Sequence, residues 1–167
     1  MKLLFITLCI IFSTRSVACY SPPEIQSTSV NNLIQRTKTI VLAHVAEAKY
    51  KKIDHQVEYT FKLVKIIKGQ ITEHIKLDGY PLIWEGGLNT FNNHTESVFW
   101  DTGRGRLVHS TDCLIHPSFS VGATYLLFLD RPYHNKSFEQ IIRTHGDKGT
   151  KDKWLQYVET QTILTTK

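Results

Sequence analysis

The 167-residue sequence predicts a mainly β fold, a small β-barrel with a short helix near its start and another at its end. About five or six runs of β-branched or alternating apolar residues follow one another, and no helical pattern lies between the main strands. Helical spacing of apolar residues occurs only near the two ends of the chain. The length fits one domain, and 41% hydrophobic with 21% charged residues excludes a collagen-like, coiled-coil or mainly disordered chain.

Residues 1–18 are predicted to be a secretory signal peptide. Lys2 supplies the positive start, residues 3–12 form the apolar run, and residues 16–18 form a small-x-small cleavage site. The apolar run is too short to cross a bilayer, which needs about 20 apolar residues, so we predict no transmembrane segment. The mature chain then covers residues 19–167 as a single domain, exported as a secreted or periplasmic protein.

Processing leaves a modest positive charge. The signal contains Lys2 and Arg15 but no acidic residue, so its removal lowers the net charge from +5 to +3. The remaining lysines that cluster in sequence predict a solvated sheet face: Lys49, Lys51, Lys52, Lys62, Lys65 and Lys68. A charge of this size needs no nucleic-acid partner to explain it, and we expect none in an exported protein.

The first third of the mature chain predicts an arm, a helix and a buried strand. Pro22 and Pro23 favour an extended arm from Cys19 onward. A short helix capped by Ser27 or Ser29 is expected to end near residue 36. Residues 39–46 are rich in β-branched side chains and predict a largely buried strand, with the lysines at 49, 51 and 52 in the turn that follows.

The strongest strand pattern lies at residues 57–69. Val57, Tyr59, Phe61 and Leu63 alternate with polar residues, which predicts one buried and one solvated face. Shorter strands are expected at 73–78, 123–129 and 137–143. The tail from residue 150 predicts a terminal helix whose apolar stripe has four members, Trp154, Tyr157, Val158 and Gln161.

Residues 82–106 break the strand pattern with glycines, asparagines and four aromatic residues, Trp84, Phe91, Phe99 and Trp100. An excursion of this length predicts either a functional loop or a pair of irregular strands. The aromatic side chains either fill the core or form a recognition patch, and we favour the core because large aromatics are usually buried.

Two cysteines remain after processing, Cys19 and Cys113, because Cys9 leaves with the signal. An even pair in an oxidising compartment predicts one disulfide, which would stabilise the fold by about 4–5 kcal/mol for a loop near 100 residues. The alternative is a lipid anchor at Cys19, because a bacterial lipoprotein also begins at a cysteine after a small residue. The two modifications exclude each other, and we rank lipidation second.

No catalytic or metal centre is predicted. His109, Asp112, Cys113 and His116 have suitable ligand types, but on a strand they would point to opposite faces, and an oxidised Cys113 is not a thiolate ligand. Most other histidines, among them His55, His94, His134 and His145, lie in polar, turn-like segments. Nucleophile-elbow and phosphate-loop motifs are absent from the sequence. We therefore expect no enzyme and no cofactor, with a zinc-dependent hydrolase as the least favoured alternative.

Several segments together resemble a known family. They are Cys19 with the prolines after it, residues 39–45, residues 59–69, and Asp112-Cys113 followed by residues 119–128. In order and spacing they are similar to the netrin-like module of the tissue inhibitors of metalloproteinases, and more closely to bacterial exported proteins with the same OB-like barrel.

This resemblance implies a fold, a bridge and a partner. The fold is an OB-like barrel, and the bridge joins Cys19 to Cys113. In the animal inhibitors the α-amino group and carbonyl of the first cysteine bind the catalytic zinc of a protease. The resemblance therefore implies a protein-binding module, inhibitor-like towards a metalloprotease, whose partner-binding residues are Cys19, Tyr20, Ser21 and Pro22.

Overall fold

The computed structural model describes residues 23–71, 74–81, 91–142 and 152–165. These residues form one five-stranded antiparallel sheet with β1 at its centre, in the order β3-β2-β1-β4-β5. The strands are β1 Ile40–Lys51, β2 Gln56–Lys68, β3 His74–Gly79, β4 Thr124–Phe128 and β5 Phe138–Gln140. The helices are α1 Val30–Arg36, α2 Ser97–Trp100 and α3 Lys153–Thr165, with short 3-10 turns at Glu24–Gln26 and Asn92–His94.

The predicted mainly β class, with helices near both ends, is confirmed. The edge strands β3 and β5 do not pair with each other in the part of the chain described, so the sheet is not closed into a barrel by strand pairing. The barrel therefore stays a prediction, and the finding is the antiparallel sheet.

The long β1–β2 hairpin follows from the alternation in the sequence. Val57, Tyr59 and Phe61 are buried on one face of β2, as predicted. The turn expected around Lys49 begins later, because β1 continues to Lys51. The prediction was wrong there because the end of the hairpin extends beyond the core, where backbone pairing to β2 maintains the strand without buried side chains.

β1 is buried on both faces because it separates two hydrophobic clusters. Val41, Ala43 and Val45 face the first cluster, which contains the apolar residues of β2 and Phe119. Ile40 and Leu42 face the second cluster, which lies under the helices. Alternate residues of one strand thus enter different cores, and this explains a continuous apolar run in an antiparallel sheet.

The helices cover the second cluster. The hydroxyl of Ser29 accepts a hydrogen bond from Asn32 N at 3.3 Å, so α1 begins where one of the two predicted caps placed it. In α3, Trp154 and Val158 are fully buried, as predicted, whereas Tyr157 and Gln161 are only partly buried. Leu155 and Thr162 are the other buried members of this stripe.

Residues 91–106 form helical turns rather than the irregular strands that were one of the two expectations. Asn93 and His94 have positive φ angles, 50° and 51°, and reverse the chain before α2. Phe91 and Phe99 are buried, so for them the core prediction is confirmed. Trp100 is 36% exposed, and Trp84 lies outside the described residues.

Phe119 joins the strands that enclose the first cluster. Its ring centroid lies 4.9 to 5.4 Å from those of four other aromatics in edge-on contacts: Tyr59, Phe61, Tyr125 and Phe138. These partners belong to β2, β4 and β5. One side chain from an irregular segment therefore packs against both halves of the sheet.

We predict that Phe119→Ala lowers the free energy of unfolding by about 3–5 kcal/mol, because it leaves a cavity between three strands. Val121→Ala, two residues later and 58% exposed, is the matched control and should change it by less than about 0.5 kcal/mol. Urea unfolding measures both, and equal effects would show that Phe119 is not central to this core.

Candidate functional site

The sequence-predicted partner-binding residues Cys19, Tyr20, Ser21 and Pro22 lie outside the described residues. The chain just after them is anchored at Gln26, which is 2% exposed. Its side-chain Nε2 donates to the carbonyl oxygen of Cys113 at 2.6 Å, and its own carbonyl accepts from Asn135 N at 3.1 Å. Cys19 precedes Gln26 by seven positions, a stretch that spans at most about 25 Å, so the chain length allows Cys19 to reach Cys113.

Cys113 lies in a tight turn. Its N–H donates to the carbonyl of Ser110 at 3.0 Å, and Ser110 N donates to the carbonyl of Leu114 at 2.8 Å. Cys113 has a φ of 64°, a conformation that non-glycine residues seldom adopt. It takes part in a further interaction and is not a free thiol. Because Cys19 lies outside the described residues, the pairing of the two stays a prediction.

Asp112 and His116 stabilise this turn by hydrogen bonds at the protein surface. Asp112 Oδ2 lies 2.7 Å from His116 Nε2, and Asp112 Oδ1 accepts from Leu114 N at 2.9 Å. These hydrogen bonds, with the one to His116 the stronger, lower the pKa of Asp112. The His116 ring stacks on Tyr80 with a centroid distance of 4.2 Å, so the turn is also fixed to the residue that follows β3.

Exposed apolar side chains flank the contact between Gln26 and Cys113 in both chain segments. Ile25 is 40% exposed, Leu114 53% and Val108 69%. We call Ile25, Val108, Cys113 and Leu114 the Cys113 edge. Single exposed apolar residues are ordinary on a protein surface, and these three are grouped here because their segments are joined by the Gln26–Cys113 hydrogen bond.

The four residues considered as metal ligands do not form a strand. His109, Asp112, Cys113 and His116 lie in a turn and extended segment, where Asp112 and His116 are hydrogen-bonded to each other. In the described ranges, no three His, Cys, Asp or Glu side chains are grouped so that they could hold a metal ion.

A buried charged network lies elsewhere, between β5, α3 and the segment before α2. Its members are at most 4% exposed: His94, Arg106, Glu139 and Asp152. His94 Nδ1 lies 2.7 Å from Asp152 Oδ2, and His94 Nε2 lies 3.5 Å from Glu139 Oε2. The backbone N–H of Arg106 donates to Glu139 Oε1 at 2.7 Å. The charges of His94, Asp152 and Glu139 are therefore paired with one another, which burial requires.

The network favours a protonated His94. Burial alone would lower the pKa of His94, but its hydrogen bonds to Asp152 and Glu139 outweigh burial and raise that pKa above the ordinary value. Both ring nitrogens face carboxylates and the side chain is sealed from solvent. A substrate cannot reach it, so we interpret the network as structural.

Sequence reasoning missed this network. It placed His94 in a polar turn and did not single out Glu139 or Arg106. Only Asp152 carried a local signal, because it directly precedes α3 and its Oδ1 accepts from Leu155 N at 3.0 Å, the pattern of an N-cap.

The segment before β5 contains two more buried basic groups. Lys136 Nζ donates to the carbonyls of Asp101 at 3.0 Å and Arg104 at 2.5 Å, and burial lowers the pKa of Lys136 to about 8. His134 Nε2 donates to the carbonyl of Thr28 at 2.9 Å, while its Nδ1 accepts from Lys136 N at 3.0 Å. Burial, with the charges of Lys136 and Arg36, lowers the pKa of His134 to about 4.

The lysine-rich sheet face is interleaved with acids. Lys51 lies 2.6 Å from Asp78, and Lys65 lies 2.9 Å from Glu159. These exposed pairs contribute little stability, and they offset the charge of two of the six lysines predicted on this face.

No family model and no curated protein matches this sequence, so the likeness to the netrin-like module rests on the residues quoted for it. As for membranes, none of the helices within the described residues is long and apolar enough to cross one.

We predict that Asp152→Ala lowers the free energy of unfolding by about 3–5 kcal/mol, because it removes a helix cap and leaves a buried His94 without its partner. Ser29→Ala removes only a cap, that of α1, and should cost about 1 kcal/mol. Chemical unfolding of both variants measures the difference. Equal losses would show that the contact with His94 contributes nothing.

We also predict that acid weakens the fold through His134. In the unfolded chain this histidine titrates near pH 6.5, but in the folded protein only near 4, so the unfolded state binds the proton first as the pH falls. Its contribution declines from pH 6.5 to 4, by about 3 kcal/mol in all.

His134→Gln should flatten this decline when urea unfolding is measured at pH 7 and pH 4.5. His74→Gln, at an exposed histidine of β3, is the control and should keep the wild-type dependence. An unchanged slope in His134→Gln would contradict the assignment.

Proposed function

We propose that this protein is an exported, non-enzymatic protein-binding module with an OB-like barrel, and that it docks through the Cys113 edge together with the N-terminal arm. Its partner is a zinc metalloprotease. The observation that carries the proposal is the hydrogen bond from Gln26 to the carbonyl of Cys113, because it brings the chain that follows the arm to the predicted bridge.

The segment 106–118 supports barrel closure without a further strand. At one end, Arg106 Nε donates to the carbonyl of Phe138 in β5 at 2.8 Å. At the other, Tyr80 N, just after β3, donates to the carbonyl of Pro117 at 2.9 Å. One irregular segment thus contacts both edge strands, and register shifts in the β1–β2 ladder favour the curvature that closure needs.

A bridge between Cys19 and Cys113 would make the arm rigid. The turn around Cys113 is held by Ser110, Gln26 and the Asp112–His116 pair, so it is a firm anchor. Fixing the arm before association lowers the entropic cost of binding.

The proposed contact with the partner is a chelate. After cleavage at Ala18, the neutral α-amino group and the carbonyl oxygen of Cys19 supply two ligands from one residue. The catalytic zinc of a protease keeps an open coordination position for water, which such a chelate displaces. The residues Tyr20, Ser21 and Pro22 then follow the cleft of the protease, and Leu114, Val108 and Ile25 bury their exposed surface against its rim.

The first experiment is the intact mass of the mature protein before and after reduction and alkylation. A chain that begins at Cys19 and takes up two alkyl groups only after reduction supports the bridge. A lipid-modified Cys19 with an alkylatable Cys113 would replace the proposal by the lipid-anchored alternative, in which the barrel is structural.

The functional prediction concerns the α-amino group. A variant with one alanine added before Cys19 should fold normally but lose inhibition of zinc metalloprotease catalytic domains, measured with a fluorogenic peptide substrate. Leu114→Glu should weaken inhibition about tenfold or more, because it places a charge in a buried contact.

The control is Ile163→Glu, at a 64% exposed residue of α3, which packs on the opposite sheet face from Phe119. It should inhibit like the wild type. If the variant with one alanine added before Cys19 inhibits as well as the wild type, chelation is disproved. If the wild type inhibits none of the metalloprotease catalytic domains tested, the proposed partner is wrong.

A further inference from the structure

Trp100 separates two neighbouring grooves that the proposed docking edge does not use. The first groove, of about 270 Å³, lies between the start of α1 and the end of α2. The second, of about 380 Å³, runs along α3. Trp100 and Tyr157 line both, so one extended ligand could occupy the two grooves across a shared aromatic wall. Their volumes lie near the lower end of the range of about 300–1,000 Å³ for small-molecule sites.

The Trp100 ring is exposed but firmly held. Its indole Nε1–H donates to the carbonyl of His94 at 3.1 Å. Phe99, Trp154 and Tyr157 contact it edge-on, with centroid distances of 5.3, 6.0 and 5.3 Å. Because its one polar group is already bonded, the 36% that remains exposed offers an apolar aromatic surface. A rigid aromatic of this kind binds at little cost in conformational entropy.

Polar groups of several kinds surround this surface. The first groove is lined by three hydroxyl-bearing residues, Thr28, Ser29 and Thr102, together with Asn31 and Asp101. The carboxamide oxygen of Asn31 accepts from the Tyr157 hydroxyl at 2.8 Å, so its NH₂ group is the part that can donate to a ligand. Amide side chains, from Gln156 and Gln161, also line the second groove.

This lining selects a class of ligand. A phosphate or other anion is disfavoured in the first groove, because Lys136 Nζ is committed to two carbonyls and Asp101 adds negative charge. A purely apolar ligand would remove water from the Asn31 NH₂ group and from Asp101 without replacing those hydrogen bonds, which costs free energy. A pyranose ring matches the lining, since it has an apolar C–H face and a rim of hydroxyls that both donate and accept.

We propose that the two grooves bind a short neutral oligosaccharide, with one sugar ring stacked on Trp100 and its neighbours in the grooves on either side. Asp101 and Asn31 hydrogen-bond the hydroxyls of the ring in the first groove. This inference rests on the groove geometry alone and is independent of the metalloprotease proposal.

The test is a titration of the full mature protein with chitotriose, maltotriose, cellotriose and mannotriose. The NMR signal of the Trp100 indole N–H and calorimetry report binding. At least one sugar should give a saturable shift, and Asp101→Asn and Asn31→Ala should each weaken its binding about tenfold. Tyr50→Ala, at a 51% exposed aromatic on the β1–β2 hairpin, is the matched control and should bind like the wild type.

Trp100→Ala should abolish binding, and far-UV circular dichroism shows whether it folds. If it does not fold, the two rim variants decide, because both lie at the groove surface. The proposal is overturned if no sugar shifts the signal at sugar concentrations up to about 20 mM, because a millimolar dissociation constant would give a shift at that concentration. It is also overturned if Asp101→Asn and Asn31→Ala bind like the wild type, or if trialanine or pyrophosphate binds where the sugars do not.

Discussion

The buried carboxylate of Glu139 is the constraint on which the rest of this structure depends. It accepts the backbone N–H of Arg106 and faces His94, whose other nitrogen meets Asp152 at the start of α3. β5, the segment before α2 and the C-terminal helix are therefore joined by one chain of charges. Because each of these charges would be costly to bury alone, the three elements are stable only when they are assembled together.

The Arg106 side chain links the buried charged network to the first hydrophobic cluster. Its Nε and Nη2 donate to the carbonyls of Phe138 and Ser118 at 2.8 and 2.6 Å. The guanidinium carbon lies 4.9 Å from the centroid of the Tyr125 ring. Arg106 thus ties the irregular segment to β5 and to the Tyr125 ring of β4 through charged hydrogen bonds and an aromatic contact. These bonds hold the segment that leads into the Cys113 edge.

The two proposed sites share their structural support. Gln26 contacts Cys113, while Thr28, two residues later, lines the first groove and accepts a hydrogen bond from His134 through its carbonyl. The bond to Thr28 is compatible with either protonation state of His134, but Nδ1 accepts from Lys136 N only in the neutral ring. Protonation of His134 would therefore break the contact with Lys136, which also lines the first groove, and the depressed pKa of this histidine preserves that contact at neutral pH.

Local pattern determined the elements whose burial is set by their own periodicity. The alternation from Val57 to Phe61 predicted the face of β2. Ser29, one of two candidate caps, and Arg36 marked the two ends of α1. The spacing of Trp154 and Val158 predicted the buried stripe of α3. In each case apolar side chains at a regular period have one favourable orientation, whatever they pack against. The count of cysteines after processing predicted the bridge, and the resemblance to the netrin-like module agreed with it and added the proposed partner, neither of which periodicity could supply.

Only the tertiary structure decided which polar residues are buried. His94 and Glu139 are 45 positions apart, and His94 and Asp152 are 58 apart, yet each is buried because the others are present. A histidine in an asparagine-rich turn has no local feature that distinguishes a solvated side chain from a paired, buried one. Whether its burial is favourable depends on partners distant in sequence. The burial of an apolar side chain is favourable with or without such partners.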